Sequence, residues 1–266
     1  MSIQSNFPNL KPSLLLDFAN TKQLDNRITF TRSTPAVYYD GKTTAMAEQN
    51  LQLYSQEFNS WVATSCSATA NTTVAPDGTT TADTVTVTVA NAEHYIARNE
   101  TNCFAGVPTT VSVYAKNGTQ NYIQFSVSGN GLYATFDLST GAVGSSGSIT
   151  STSITSVGNG WYRCVATFTP SVSGFMFIAL VGSASAGRLG IYTPASATTV
   201  VLWGAQVEQR NTVTAYTPTS TQPITNYIPV LLSAGGNQAR FDHNPTTGES
   251  LGLLIEEQRT NTITYS

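Results

Sequence analysis

What this chain of 266 residues has least of is charge. Asp, Glu, Lys and Arg make up 10% of it, and the formal net charge is -3. No cluster of Lys and Arg occurs. The basic footprint of a nucleic-acid binder is therefore missing, and so is the polybasic stretch that holds a protein to an anionic membrane. No run reaches the roughly 18 apolar residues of a membrane span. The first residues, Met1 to Phe7, lack a basic region followed by an apolar one. They do not read as a secretory signal, and the expectation is synthesis in the cytoplasm without export by that route. Cysteine is limited to Cys66, Cys103 and Cys164, widely spaced and never as CxxC. That spacing excludes zinc and thioredoxin-like readings, and three buried, reduced thiols are expected.

Catalytic signatures are absent too. There is no nucleophile elbow, P-loop, Rossmann fingerprint or HExxH. The two histidines each follow a carboxylate, as Glu93-His94 and Asp242-His243. Neighbours on a strand point to opposite faces, so neither is an acid–base pair, and structural or surface roles are expected. Glycoside hydrolysis requires two carboxylates flanking a sugar. Nothing in the spacing of Asp83, Glu93 and Asp137 brings two together. The chain is read as a non-enzyme.

What is present is hydroxyl-rich β-pattern. Apolar residues reach 40%, too many for a low-charge chain to stay disordered. Thr84 to Val89 alternates without a break, as a half-buried strand does. Thr110–Ala115, Tyr122–Val127, Tyr133–Leu138 and Trp161–Thr169 follow, separated by Gly- and Asn-rich turns. Phe175–Val181 is more continuously apolar, as in a central strand, and Val200–Glu208 is the last strong strand. Short strands at regular spacing predict a sandwich or barrel, and helix should be scarce.

Three sections are expected. Residues 1–49 form a β-rich anchoring section, with Arg27–Arg32 alternating and Val37–Gly41 closing on an Asp-Gly turn. Residues 50–217 form the β-sandwich. Residues 218–266 form a linker, punctuated by Pro218, Pro223 and Pro229, and a β-rich return through Ala239–His243, a turn at 244–248 and a strand at Leu251–Glu256. The first and last sections are expected to pair into a smaller β-unit. Asn50-Leu51-Gln52-Leu53-Tyr54-Ser55 is echoed at Asn261-Thr262-Ile263-Thr264-Tyr265-Ser266. That echo suggests a module boundary at the C-terminus, as in a longer serial protein or a single-module member of a repeat family.

Several strings occur in a telling order. Ala75–Asp83 precedes Ser112-Val113-Tyr114-Ala115-Lys116. Phe136–Gly141, Gly158-Asn159-Gly160-Trp161-Tyr162-Arg163 and Leu202–Glu208 follow. Together they resemble a jelly-roll module, similar to carbohydrate-binding modules, of tailed-bacteriophage structural proteins. Leu16–Ala19 with Arg27–Ser33, and Arg240–His243 with Gly248–Glu257, resemble the flanking units of such proteins. In those relatives the last string leads into a jelly-roll; here the jelly-roll lies before it.

The resemblance implies a virion component facing outward, either a tail or head fibre section or a capsid-decorating protein. Its partners would be other virion proteins of the capsid or tail, and host surface polysaccharide. Closing subunits round an axis hides strand edges, so a homotrimer is expected. For glycan contact the candidates are Trp61, Tyr95, Tyr122 and Tyr133, as exposed aromatics that stack on sugars. Trp161, Trp203, Tyr114 and Tyr162 are read as core anchors. Asp77, Asp83 and Glu208 are of the oxygen-donor type that calcium takes. They are read as surface carboxylates, and no metal or cofactor is expected.

Overall fold

A computed structural model describes residues 18–39, 45–228, 231–244 and 249–255. The protein is all-β, with two six-stranded antiparallel sheets forming a jelly-roll β-sandwich. Its strands are β1 (Ala36–Tyr39), β2 (Ala45–Asn50), β3 (Val62–Thr64), β4 (Cys66–Thr73), β5 (Ala82–Val87) and β6 (His94–Ala97). Then come β7 (Thr109–Asn117), β8 (Tyr122–Val127), β9 (Tyr133–Asp137), β10 (Ala142–Gly147), β11 (Ser151–Gly158) and β12 (Trp161–Phe168). The last are β13 (Met176–Leu180), β14 (Thr198–Glu208), β15 (Ile224–Ile228), β16 (Leu231–Ala234), β17 (Phe241–His243) and β18 (Ser250–Leu253). The chain divides into two compact units, one spanning Glu48–Thr225 and the other drawn from the two ends.

In the larger unit the first sheet runs β10-β9-β8-β13-β6-β3 and the second β11-β12-β7-β14-β5-β4. From β5 to β8 the chain switches sheet at every step, which is the jelly-roll winding. The outermost strands on each side, β3 with β4 and β10 with β11, are consecutive in sequence. Both open sides of the sandwich are thus stitched by short connections, which limits the exposed edge.

Alternation decides which side chains fill the space between the sheets. On β5, Val85 and Val87 are buried in the core while Thr84 and Thr86 face out. On β7, Val111, Val113 and Ala115 point in. Phe125 of β8 and Phe136 of β9 meet edge to face at 5.1 Å in the core, an arrangement that aligns ring edge with ring face. Cys103 and Cys164 are buried and Cys66 is partly so; all three are free thiols. Burial pushes Cys66 up to about 11 and Cys103 up to about 12, so the reactive thiolate is suppressed.

The outer faces are less exposed than alternation alone would leave them. Gln124 and Ser126 of β8 should face water, yet both are buried. The segment after β13 crosses this face and is pinned there. Gln124 donates to the Gly187 carbonyl at 3.0 Å and accepts the Leu189 N–H at 2.8 Å. Ser145 donates to the Ala186 carbonyl at 2.6 Å.

In the unit drawn from the two ends, β1 pairs antiparallel with β16, and β17 with β18. N- and C-terminal sections therefore share a sheet. Arg27–Arg32 is not a strand. Asp25 accepts the Arg27 N–H at 3.0 Å and its guanidinium at 2.8 Å, a local bond that competes with a strand ladder. Arg32 instead holds a turn: its N–H donates to the Asn237 side-chain carbonyl at 2.9 Å, its carbonyl accepts the Asn237 N–H at 2.8 Å, and its guanidinium donates to the Ala234 carbonyl at 3.0 Å. Phe18–Thr21 forms one helical turn. The expected strand at Lys11–Phe18 lies outside the described residues except at Phe18, as do the turns at 40–41 and 245–248 and the echo at 261–266.

Candidate functional site

The outer face of the second sheet carries an aromatic cluster. Tyr114 on β7 has the opposite parity to Val113 and Ala115, so it points out of the sandwich. Its cross-strand partner on β14 is Trp203. Their rings meet at 5.3 Å. Past Trp203 the register of β14 shifts before Gln206, and Gly204 sits at φ +63°. That bulge turns the following stretch of β14 and lets the segment after it fold back over the sheet. Tyr216 arrives with that segment, 4.7 Å from Trp203 and 6.2 Å from Tyr114.

Two of the three rings are fixed by their polar ends. The Trp203 indole N–H donates to the Thr81 hydroxyl at 3.0 Å. The Tyr216 hydroxyl bonds the Ser55 hydroxyl at 2.6 Å and also meets Gln56. Burial pushes the Tyr216 phenol up to about 12, so it stays neutral. Behind the cluster, Trp161 donates to the Val74 carbonyl at 3.2 Å. On the far side the Arg163 guanidinium lies 5.2 Å from the centre of the Tyr114 ring.

The three rings open onto a cleft of about 390 Å³, closed at its rim by Gln56, Pro76, Asp77 and Pro218. Asp77 Oδ1 accepts the Thr79 N–H and hydroxyl at 2.9 and 2.7 Å. These bonds hold the carboxylate in place at the mouth of the cleft. Aromatic faces beside one carboxylate and one carboxamide suit a ligand with apolar C–H faces and hydroxyl edges. Asp77 is the one carboxylate among the residues lining the cleft.

The four aromatics expected to contact glycan are placed differently. Trp61 is corrected: it is 5% exposed and belongs to the core. It packs 4.9 Å from Phe58 and donates its indole N–H to the Tyr54 carbonyl at 3.1 Å. The helical turn at Phe58–Ser60 tucks it inward. Tyr95, Tyr122 and Tyr133 share the outer face of the first sheet, but the covering segment keeps them from forming one platform. Tyr95 and Tyr122 pack with Leu189 and Ala186 of that segment. Tyr133 lies over Gly147, its cross-strand partner. Trp203, expected as a core anchor, is buried at 4% exposure and forms the floor of the cleft, while Tyr114, also expected as an anchor, and Tyr216 are partly buried and form its walls. The parity of Tyr114 against Val111, Val113 and Ala115 is the signal that marks it as outward-facing.

Asp83 and Glu208 are corrected from surface to buried carboxylates, at 1% and 0% exposure. Asp83 accepts the N–H groups of Asn71 and Asn59 at 2.9 and 3.3 Å. Burial nonetheless raises it above the usual carboxylate range, with the N–H bonds opposing. Glu208 accepts the Thr214 N–H and hydroxyl and faces Arg210 at 3.5 Å, tying down the fold-back segment. Among the described residues no group of three His, Cys, Asp or Glu could hold a metal ion. His94 is buried between the Ser65 carbonyl at 2.8 Å and the Tyr192 carbonyl at 3.3 Å. His243 contacts the Tyr39 carbonyl at 2.8 Å. Neither ring meets the carboxylate beside it in sequence. No helix of the described residues is long and apolar enough to cross a membrane.

No protein-family model matches the chain, and no curated protein matches it. Among solved structures it is similar to the CBM22-1–GH10 modules of Clostridium thermocellum endo-1,4-beta-D-xylanase 10B, complexed with xylohexaose. The identity is 13% and the TM-score 0.37, over 63% of this chain and 29% of that one.

Proposed function

We infer that the chain is a structural component of a tailed-phage virion, an outward-facing fibre section or capsid-decorating protein, which adheres to host surface glycan through the cleft on its second sheet. The observation that carries adhesion is the pair of partly exposed rings, Tyr114 and Tyr216, set over the buried Trp203 and beside Asp77 and Gln56. The virion setting rests on the ordered strings from Ala75 to Glu208 and on the flanking units. The low charge and the stitched sandwich edges fit a particle component that works by shape and interfaces. Assembly as a homotrimer belongs to the same reading.

The test has two readouts. Gold-labelled antibody against residues 50–217 is imaged on purified particles, and the purified protein is passed over immobilised host polysaccharide. Label on the particle surface is expected, with retention on polysaccharide that Tyr216→Ala weakens about tenfold, or about 1.4 kcal/mol. Unlabelled particles would sink the virion reading. Retention that Tyr216→Ala leaves unchanged would sink the role of the cleft.

A further inference from the structure

A second pocket, of about 330 Å³, lies where β7 passes into β8 and where the covering segment returns to β14. Its volume is within the range of small-ligand sites. It is built from Thr119 to Tyr122 on one side and from Val181, Gly182, Tyr192 to Ser196 and Thr198 on the other. Not one lining residue is charged.

The walls are held by one side chain. Gln120 is buried, and its amide donates to the Tyr122 carbonyl at 3.0 Å and the Val181 carbonyl at 2.7 Å. Its carbonyl accepts the Thr198 hydroxyl at 3.0 Å and the Tyr192 hydroxyl at 3.4 Å. Four wall positions thus share one carboxamide with all its valences used. The β7 end is fixed as firmly, since the N–H groups of Gly118, Thr119 and Gln120 converge on the Thr199 carbonyl. A cavity braced in this way is set before any ligand arrives, which lowers the cost of binding.

The remaining polar groups point to the ligand. In contrast to Gln120, the side chains of Asn121, Thr193 and Ser196 take part in none of the hydrogen bonds among the described residues. They supply free donors and acceptors beside the Tyr122 and Tyr192 rings. Burial pushes the Tyr192 phenol up to about 12, so this wall also stays uncharged. A ligand carboxylate would lose water here without gaining a cation, at a cost that rises with its burial.

We propose that this pocket is a second saccharide site, one that takes an uncharged sugar ring. It is separate from the cleft and does not depend on it. Thr198 and Trp203 stand five residues apart on β14, an odd separation that turns their side chains to opposite faces of the strand.

The test is saturation-transfer NMR on the full chain with galactose and N-acetylglucosamine as neutral probes and glucuronate as the charged one. Wild type is compared with Tyr216→Ala, Ser196→Phe and Asn121→Ala. Ser196 is exposed on the returning segment, so the Phe fills the mouth without entering the core, and Asn121→Ala removes only unbonded polar atoms. A neutral probe is expected to bind wild type and Tyr216→Ala, and to lose about tenfold in affinity in Ser196→Phe and about threefold in Asn121→Ala. Glucuronate is expected to bind this pocket more weakly than either neutral probe. Signal lost in Tyr216→Ala but kept in both pocket variants would overturn this site and leave the cleft standing. The reverse pattern upholds this site and removes the cleft. Absence of signal from both neutral probes, or preference of the pocket for glucuronate, would also overturn it.

Discussion

A Cβ placed on Gly204 would stand 3.3 Å from the ring of Tyr216 and 3.2 Å from that of Tyr114. Two walls of the cleft thus close on a position without a side chain. The backbone there, at φ +63°, is one that side chains resist.

Gly204→Ala is therefore expected to cost about 1–3 kcal/mol of stability through backbone strain. It should also push Tyr216 away from the sheet and weaken glycan retention. Urea denaturation and the polysaccharide column read the two effects separately. Wild-type stability in the variant would show that the bulge relaxes more easily than its geometry implies.

Trp61 and Tyr133 part company on truncation. Trp61→Ala empties a core site beside Phe58, for which about 3–5 kcal/mol is the usual cost. Tyr133→Ala removes a ring from a sheet face next to Gly147 and should cost no more than about 1 kcal/mol. Thermal melts decide the point. A mild Trp61→Ala would mean that its indole is not the core element its burial describes.

Gln120→Ala should loosen the segment between β13 and β14. The Val181 carbonyl would be left without its donor, at about 1–3 kcal/mol, whereas the Tyr122 carbonyl keeps the Val181 N–H. Hydrogen exchange is expected to accelerate in residues 182–197 while strands β7 and β14 stay protected. Uniform acceleration across the sandwich would indicate global destabilisation instead.

The pH response follows from Tyr216 and Tyr192. Burial raises both phenols from 10.0 to about 12. Between those values the unfolded chain ionises them and the folded chain does not, so the unfolded state binds fewer protons. Stability from this source is complete below pH 10 and lost as pH rises toward 12. The urea midpoint of wild type should fall further from pH 9 to pH 11 than that of Tyr216→Phe. Equal falls would mean that Tyr216 titrates normally in the fold.

Much of the architecture was legible because strand alternation is a local property. Tyr122–Val127 was read with its observed bounds, and Trp161–Thr169 and Val200–Glu208 to within a residue or two. The strands β2, β3, β4, β6, β10, β11, β15 and β16 are not legible in the sequence, being short or with little apolar contrast. Arg27–Arg32 alternates convincingly, but Asp25 satisfies its backbone locally and no ladder forms. The cleft was half legible: parity alone turns Tyr114 outward, yet nothing local links it to Tyr216, about a hundred residues away.

The sequence by itself determined that this protein is a low-charge, hydroxyl-rich β-sandwich, because periodicity two and Gly-Asn turns leave few other ways to bury its Val and Phe residues. Tertiary structure alone decided which outward faces meet solvent. The segment from 182 to 197 covers one sheet, and the segment after Glu208 folds over the other. Those two coverings bury Gln124 and Gln120 and leave one aromatic cleft and one uncharged pocket. Exposure depends on what packs across a face from far along the chain, and strand alternation carries no record of that.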